Sequence, residues 1–356
     1  MSPLDVPFLK YVGGIDQLTV TNPKVEWIKD DLWQARLTLS STTGFTDTSQ
    51  TTLYLSGSTA YNLYKGMVLQ VDDELLWVTA ASSDTAVHVR RDYAGSTGAT
   101  HATASSVYMM GIAVAENEDS NYRGSAIYSF PYNWCQLFDI AYQISLRQNS
   151  TAVYGRRGPD LDKMTADTLK QVMVLLEEAC FRGLRYVGSA ATDPPTMGGL
   201  REFINSTDSN VTDLATAALT EKDLNDMLQT LFYQVGPANM AKTIICGSWV
   251  KRKISAFYEP HYRSTVESKR GGVTIEQIQT DFGLVDVLMH YHCPRERIYF
   301  VNPDFIEVGH YKDGQFQDAP LAVAGPYFRR HVYGDYTMVV KNVEAMGLID
   351  NISITT

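Results

Sequence analysis

Lysine is absent from residues 66–162, where Arg90, Arg91, Arg123, Arg147, Arg156 and Arg157 supply the lysine/arginine charge. Charge is scarce along the whole chain: charged residues make up 20% of 356, with 40 acids against 30 bases and a net charge of -10. A disordered chain needs high charge with low hydrophobicity, so this composition excludes one. A dedicated reader of nucleic acid usually carries a basic face or a pI above about 9, and the pI here is near 5.2. The four cysteines, Cys135, Cys180, Cys246 and Cys293, are scattered without a CxxC pair. They form no disulfide framework and read as reduced thiols in a reducing compartment. The longest apolar run, Val172 to Leu176, is cut by Glu177 and Glu178, which is far short of a membrane span. No basic-then-apolar leader opens the sequence, so no signal peptide is expected and the sequons at Asn149, Asn205, Asn210 and Asn351 read as chance matches.

Tyrosine, by contrast, is abundant at 21 copies. Aromatics combined with low charge density favour protein interfaces. Residues 1 to about 30 are polar and turn-rich and read as an arm. From 38 to 112 the composition shifts to Thr, Ser, Val, Tyr and Gly, with strand-like runs at Thr52–Leu55, Met67–Val71, Leu75–Thr79, Val87–Arg90 and Ser106–Met109. Asp72-Asp73 suits a hairpin turn between two of them, and the segment predicts a small all-β module. Residues 113–155 carry Tyr122, Tyr128, Phe130, Tyr132, Trp134, Phe138 and Tyr142 without helical period, which predicts extended chain seeking a partner.

The clearest helix follows. Pro159 suits a first helical position, Asp160 and Asp162 the positive end, and Arg182 and Arg185 the negative end. Leu161, Met164, Leu169, Val172, Met173, Leu176, Ala179 and Cys180 draw an apolar stripe at 3–4 spacing, predicting a helix to about Val187. Thr220 with Asp223 resembles a capping box for a second helix that Gly236-Pro237 stops. A strand at Lys242–Cys246, a helix from Ser248 to about Tyr258, and strands at Val273–Gln279, Val285–His292 and Ile298–Val301 come next. Strands at Tyr336–Lys341 and Leu348–Ile354 close a mixed α+β chain without an internal repeat.

Few residues point to chemistry. His290-x-His292-Cys293 is the best metal-like cluster, yet on a strand residues 290 and 292 share a face while 293 points away. Ser248-x-x-Lys251 at a strand-to-helix turn is similar to the nucleophile motif of penicillin-recognising enzymes, but its Ser-Asp-Asn and Lys-Thr-Gly partners are missing. Ser248 reads more simply as a helix cap and Lys251 as solvated. Gly271-Gly272 after Lys269-Arg270 lacks a helix to aim its amides at phosphate. The carboxylate neighbours Asp30-Asp31, Asp72-Asp73 and Glu177-Glu178 point apart and read as solvated rather than as acid/base pairs. The basic clusters Lys251-Arg252-Lys253 and Arg329-Arg330 read as surface or interface. No dinucleotide, P-loop, zincin or nucleophile-elbow motif occurs.

Several motifs nevertheless fall in a meaningful order. They are Asn22-x-x-x-Glu26-Trp27-x-x-Asp30-x-Leu32, Asn133-Trp-Cys-Gln136-Leu-Phe138, Thr196-Met-Gly-Gly-Leu200, Thr280-Asp-Phe-Gly283, Asn302-Pro-Asp304, and Gly334-Asp-Tyr-Thr337 with Asn342. Over about residues 20–352 the chain resembles the major head (capsid) proteins of tailed phages, with the Hong Kong 97-type fold. The resemblance implies an N-terminal arm and start of the E-loop region at 1–37, an all-β insertion at 38–112 and an E-loop return limb at 113–158. It further implies a peripheral domain with a long spine helix at 159–214, an axial domain at 215–315 and closing strands at 316–356. The implied function is a structural subunit of a phage or phage-like shell, assembled in the host cytoplasm through hexamers and pentamers and resident in the virion. Scaffold, portal and cement or decoration proteins are the implied partners, with weak non-specific contact to packaged DNA on the inner face and none with membrane. The Met start without a long helical prefix favours no fused scaffold. No catalytic, cofactor-binding or metal-binding residue is expected. Some such shells join an E-loop lysine to a neighbour's asparagine, but the lysine gap leaves no donor in the return limb, so no cross-link is expected. The alternatives are a soluble enzyme using Ser248/Lys251 or His290/His292, and a carbohydrate-binding surface protein centred on the β module.

Overall fold

The computed structural model describes residues 6–29, 36–40, 42–43, 45–56, 60, 63–116, 130–151, 160–188, 193–204, 210–262, 277–322 and 325–354. Asp30-Asp31, Tyr122, Tyr128, Pro159, the Asn205 sequon and the Lys269–Gly272 run lie outside the described residues. The chain divides into two compact units, Ile28–Phe130 and the combination of Met1–Trp27 with Pro131–Thr356.

The smaller unit is built on a six-stranded antiparallel sheet. Its order is Arg36–Thr38, Ser106–Ile112, Met67–Val71, Glu74–Ser83, Ala86–Arg90 and Thr52–Tyr54. Successive side chains of a strand point to opposite faces, and Met67–Val71 accordingly buries Met67, Leu69 and Val71 while Val68 and Gln70 stay half-buried. These join Leu37, Leu53, Leu76, Val78, Val87 and Val107 in one core. Val71 faces Glu74, so Asp72-Asp73 forms the expected two-residue turn, with Asp72 at φ 52°. That left-handed conformation is one aspartate tolerates and tight hairpins require.

The larger unit holds two main sheets. A six-stranded mixed sheet runs in the order Val211–Asp213, Gly347–Asp350, Ile298–Val301, Thr243–Cys246, Gly283–Met289, Gln277–Thr280. Ile298–Val301 and Thr243–Cys246 are buried at every position, because both sheet faces are covered. Ile245, Tyr299 and Val301 pack into one core with the long helix, while Ile244, Cys246, Ile298 and Phe300 pack into another with the helices Glu221–Asn239 and Ser248–Tyr262. The second sheet orders Leu18–Val20, Ile306–Tyr311, Tyr327–Val340 and Gln136–Ser145, with Gln317–Pro320 paired to the third of these.

The long helix spans Asp160–Arg182, about 34 Å at 1.5 Å per residue, and packs on the strands Gln136–Ser145 and Tyr327–Val340. It ends five residues before the expected Val187. Beyond it, the Tyr186 backbone exchanges hydrogen bonds with Thr196 (3.2 and 2.9 Å) instead of continuing the helical ladder. The capping box of the second helix is present, with the Thr220 hydroxyl and the Asp223 carboxylate each bonding the other's backbone amide. Gly236, at φ 74° and ψ 171°, breaks that helix where expected, although one further turn continues to Asn239.

Residues 136–145 are extended, as expected, but 146–150 turn into a short helix that Ser145 caps by accepting the Gln148 amide at 3.1 Å, and the strand's partner lies in the same chain. Gln136–Ser145 pairs antiparallel with Tyr327–Val340 through ten residue pairs. Phe138, Tyr142 and Ile144 enter the interior while Leu137 stays 62% exposed.

Candidate functional site

Glu177 and Glu178, read from sequence as solvated neighbours, take up different environments. A helix turns about 100° per residue, so one faces the core and the other its rim. Glu177 is fully buried and bonds His290 Nε2, and its other oxygen accepts the Leu9 amide at 3.4 Å. Glu178, one-third exposed, bonds His292 Nδ1 at 2.8 Å and pairs with Arg182 Nε at 3.2 Å. The two histidines are thus each taken by a separate carboxylate. Cys293 contributes no ligand, because its thiol bonds the carbonyls of Ile245 and Arg297 at 3.9 and 3.8 Å. Among the described residues no group of three metal-ligating side chains converges.

Lys251 is also displaced from its expected solvated place. It is 9% exposed and its Nζ donates to the Val287 carbonyl at 2.8 Å, while Ser248 sits exposed at the start of the helix. A buried ammonium satisfied by the neighbouring strand's backbone serves packing. All four cysteines are buried and free. Burial pushes the Cys135 and Cys246 thiols up to about 12 and the Cys180 and Cys293 thiols higher still, so the reactive thiolate is suppressed.

The ordered sequence motifs meet as structural latches. Asn133, fully buried, donates to the carbonyls of Met338 (2.7 Å) and Gly198 (3.1 Å) and accepts from the Gly198 amide (2.8 Å). Gln136 accepts from the Met197 amide at 3.1 Å, and the Thr337 hydroxyl donates to the Trp134 carbonyl at 3.1 Å. The Cys135 amide reaches back to the Pro23 carbonyl at 2.8 Å. Three motifs far apart in sequence therefore clamp one junction, and the fourth lends it a carbonyl. Gly199 belongs there for steric reasons: a Cβ would lie 2.5 Å from the Ala179 carbonyl oxygen and 2.7 Å from that of Cys180. Asn302 donates to the Asn239 carbonyl at 3.1 Å, and Asn342 accepts the Glu344 amide at 3.1 Å. Thr280 and Gly283 close the hairpin between Gln277–Thr280 and Gly283–Met289.

One buried ionic cluster has no counterpart in the sequence reading. In the smaller unit Glu74 accepts from Arg91 Nε (2.8 Å) and Nη2 (2.5 Å), from His101 Nε2 (2.8 Å) and from the Ala99 amide (3.2 Å). Arg91 lies over the Phe45 ring at 4.2 Å, and His101 stacks on that ring's plane at 6.0 Å. Burial pushes the Glu74 carboxyl up, but the hydrogen bonds from Arg91, His101 and Ala99 outweigh it and hold it at about 2. The cluster pins the loops around Phe45 and His101 to the sheet. Its members are 17 and 27 residues apart, a spacing that carries no local signal.

These sites hold structure together, and none brings a nucleophile to a base or three ligands to a metal. The family model described as SU10 major capsid protein matches residues 1–353. No curated protein matches the sequence. Among solved structures, the capsid of a native GTA particle superposes with a TM-score of 0.53 at 9% identity, covering 97% of this chain and 90% of that one. The encapsulin of a holo-SrpI complex from Synechococcus elongatus gives 0.46 at 10% identity, over 65% and 79% of the two chains. A chain of Mycobacterium phage Adephagia gives 0.44 at 7% identity, over 96% and 89%. The fold is thus the Hong Kong 97-type capsid fold, the role is that of a structural subunit of the virion shell, and the chain belongs to the SU10 major capsid protein family.

Proposed function

We propose that the chain assembles through hexamers and pentamers into a closed shell around the genome and performs no catalysis of its own. The observation that carries this reading is the family match across nearly the whole chain. The surface of the larger unit supports it. Leu284 and Met289, on one strand of the mixed sheet, and Tyr291 just beyond it are 66%, 57% and 71% exposed, and Tyr233 is 60% exposed. Large apolar side chains left open in a single subunit are what a neighbouring copy covers.

Within this reading, residues 1–37 serve as the arm and the start of the E-loop region, 113–158 as its return limb and 38–112 as an inserted β module. Residues 159–214 and 316–356 form the peripheral domain and 215–315 the axial domain, with Asp160–Arg182 as the spine. Scaffold, portal and cement proteins are the proposed partners, and the low charge density eases desolvation of the contacts among them. The acidic net charge keeps contact with packaged DNA weak.

Negative-stain microscopy of the expressed protein, with and without co-expressed scaffold and at moderate salt, tests the proposal. Rings or closed shells are expected. Protein that stays monomeric under every condition would overturn it.

A further inference from the structure

An open recess of about 340 Å³ in the larger unit is lined by Arg182, Arg201, Arg295, Glu296, Arg297 and Ile354. Four guanidiniums around one cavity reverse the sign of an otherwise acidic chain. Two of them are committed: Arg182 pairs with Glu178 at 3.2 Å, and Arg297 grips Asp350 through two bonds of 2.8 Å. The other two, Arg201 and Arg295, are exposed and have no carboxylate partner among the described residues. They come from different elements, the short helix Leu200–Phe203 and the turn after Cys293, and both line the recess. Arg201 directly follows the Thr196–Leu200 motif, whose glycine latch fixes that helix against the long helix. Arg295 sits two residues from Arg297, whose bidentate pair fixes the turn. Each free guanidinium thus projects from an anchored backbone, and guanidinium forks match the paired oxygens of a phosphate. The cavity's volume falls at the low end of the roughly 300–1,000 Å³ of ligand sites.

We infer that this recess is a phosphate-binding site, in which Arg201 and Arg295 hold one phosphate group while Arg182 and Arg297 line its walls. The phosphate is supplied either by a nucleic-acid backbone or by a free polyphosphate; the first source rests on the shell reading and the second does not.

Calorimetric titration of the full-length protein with inorganic tripolyphosphate tests the site. The double variant Arg201→Gln/Arg295→Gln should bind at least roughly tenfold more weakly, about 1.4 kcal/mol, while Arg252→Gln, an exposed arginine on another helix, should bind as the parent does. Circular dichroism should be unchanged, since both replaced side chains are exposed. Competition separates the sources: displacement by a short DNA duplex identifies the backbone, and its failure identifies free polyphosphate, with the site upheld either way. Absence of binding, equal binding by the double variant, or stronger competition by polyglutamate than by tripolyphosphate would overturn the site. Microscopy of the same samples keeps the two readings apart, because parent protein that binds tripolyphosphate without forming shells would count against the shell alone.

Discussion

Glu177 on the long helix and His290 at the end of the strand Gly283–Met289 share a hydrogen bond in full burial, beneath the rings of Phe181 and Phe8. Glu177 also receives the Leu9 amide of the N-terminal helix Pro7–Val12, so three chain segments converge on one carboxylate. The junction reaches across 113 residues in one direction and 168 in the other.

Removing one partner from such a pair leaves the other buried and uncompensated. Glu177→Ala is expected to destabilise the larger unit by about 3 kcal/mol. Arg182→Ala, which removes a 56% exposed side chain and leaves Glu178 on His292, should cost less than about 1 kcal/mol. Urea unfolding followed by tryptophan fluorescence compares the two. Equal midpoints would show that the buried pair contributes no more than its exposed neighbour.

Glu74 gives the smaller unit an acid-labile clasp. Its carboxyl stands at about 2 in the folded unit against about 4.5 for an unperturbed glutamate. A lowered folded pKa contributes stability that is fully present above the unfolded value and lost as pH falls from about 4.5 towards 2. The span corresponds to about 3 kcal/mol at most. Protection factors of peptides covering 67–90, taken against the intrinsic exchange rate at each pH, should therefore fall across that window, and Glu74→Gln should flatten the dependence. A profile that Glu74→Gln leaves unaltered would contradict this assignment.

Gly199→Ala forces a Cβ against two backbone carbonyl oxygens at the end of the long helix, and backbone there cannot swing aside. A loss of about 3 kcal/mol is expected, at the upper end of overpacking effects. Gly247→Ala is the matched control, since its nearest neighbour atom would lie at 3.7 Å. Thermal unfolding of the two variants should differ clearly, with Gly247→Ala close to the parent.

The lysine gap at 66–162 predicts particles held without covalent links. Denaturing gel electrophoresis of mature particles should show one band near the 39.7 kDa chain mass. A ladder above it would reveal a cross-link and with it a donor lysine outside the gap.

Much of the local structure was legible because short-range physics governs it. The Thr220–Asp223 box, the Asp72-Asp73 turn, the break at Gly236 and the strands Met67–Val71 and Ile298–Val301 all follow from neighbours within a few residues. Lys251 was not legible, because its acceptor Val287 belongs to a strand 36 residues away. Glu74 was not legible either: nothing near it in sequence shows that Arg91 and His101 fold back onto it.

Alone, the sequence determined the α+β order, the charge-poor and tyrosine-rich composition, and the ordered motifs that carry the family resemblance. Tertiary structure alone decided what those motifs do: Asn133, Gln136, Met197, Gly198 and Thr337 close one latch, and Arg201 and Arg295 reach one recess. The physical reason is one of range. Helical and strand periodicity is written within a few residues, whereas a buried polar group is satisfied by whichever backbone or side chain the fold brings alongside. The stretch without lysine illustrates both: its composition was plain from the start, while the return of Gln136–Ser145 to the chain's own Tyr327–Val340 was settled only by the sheet they form.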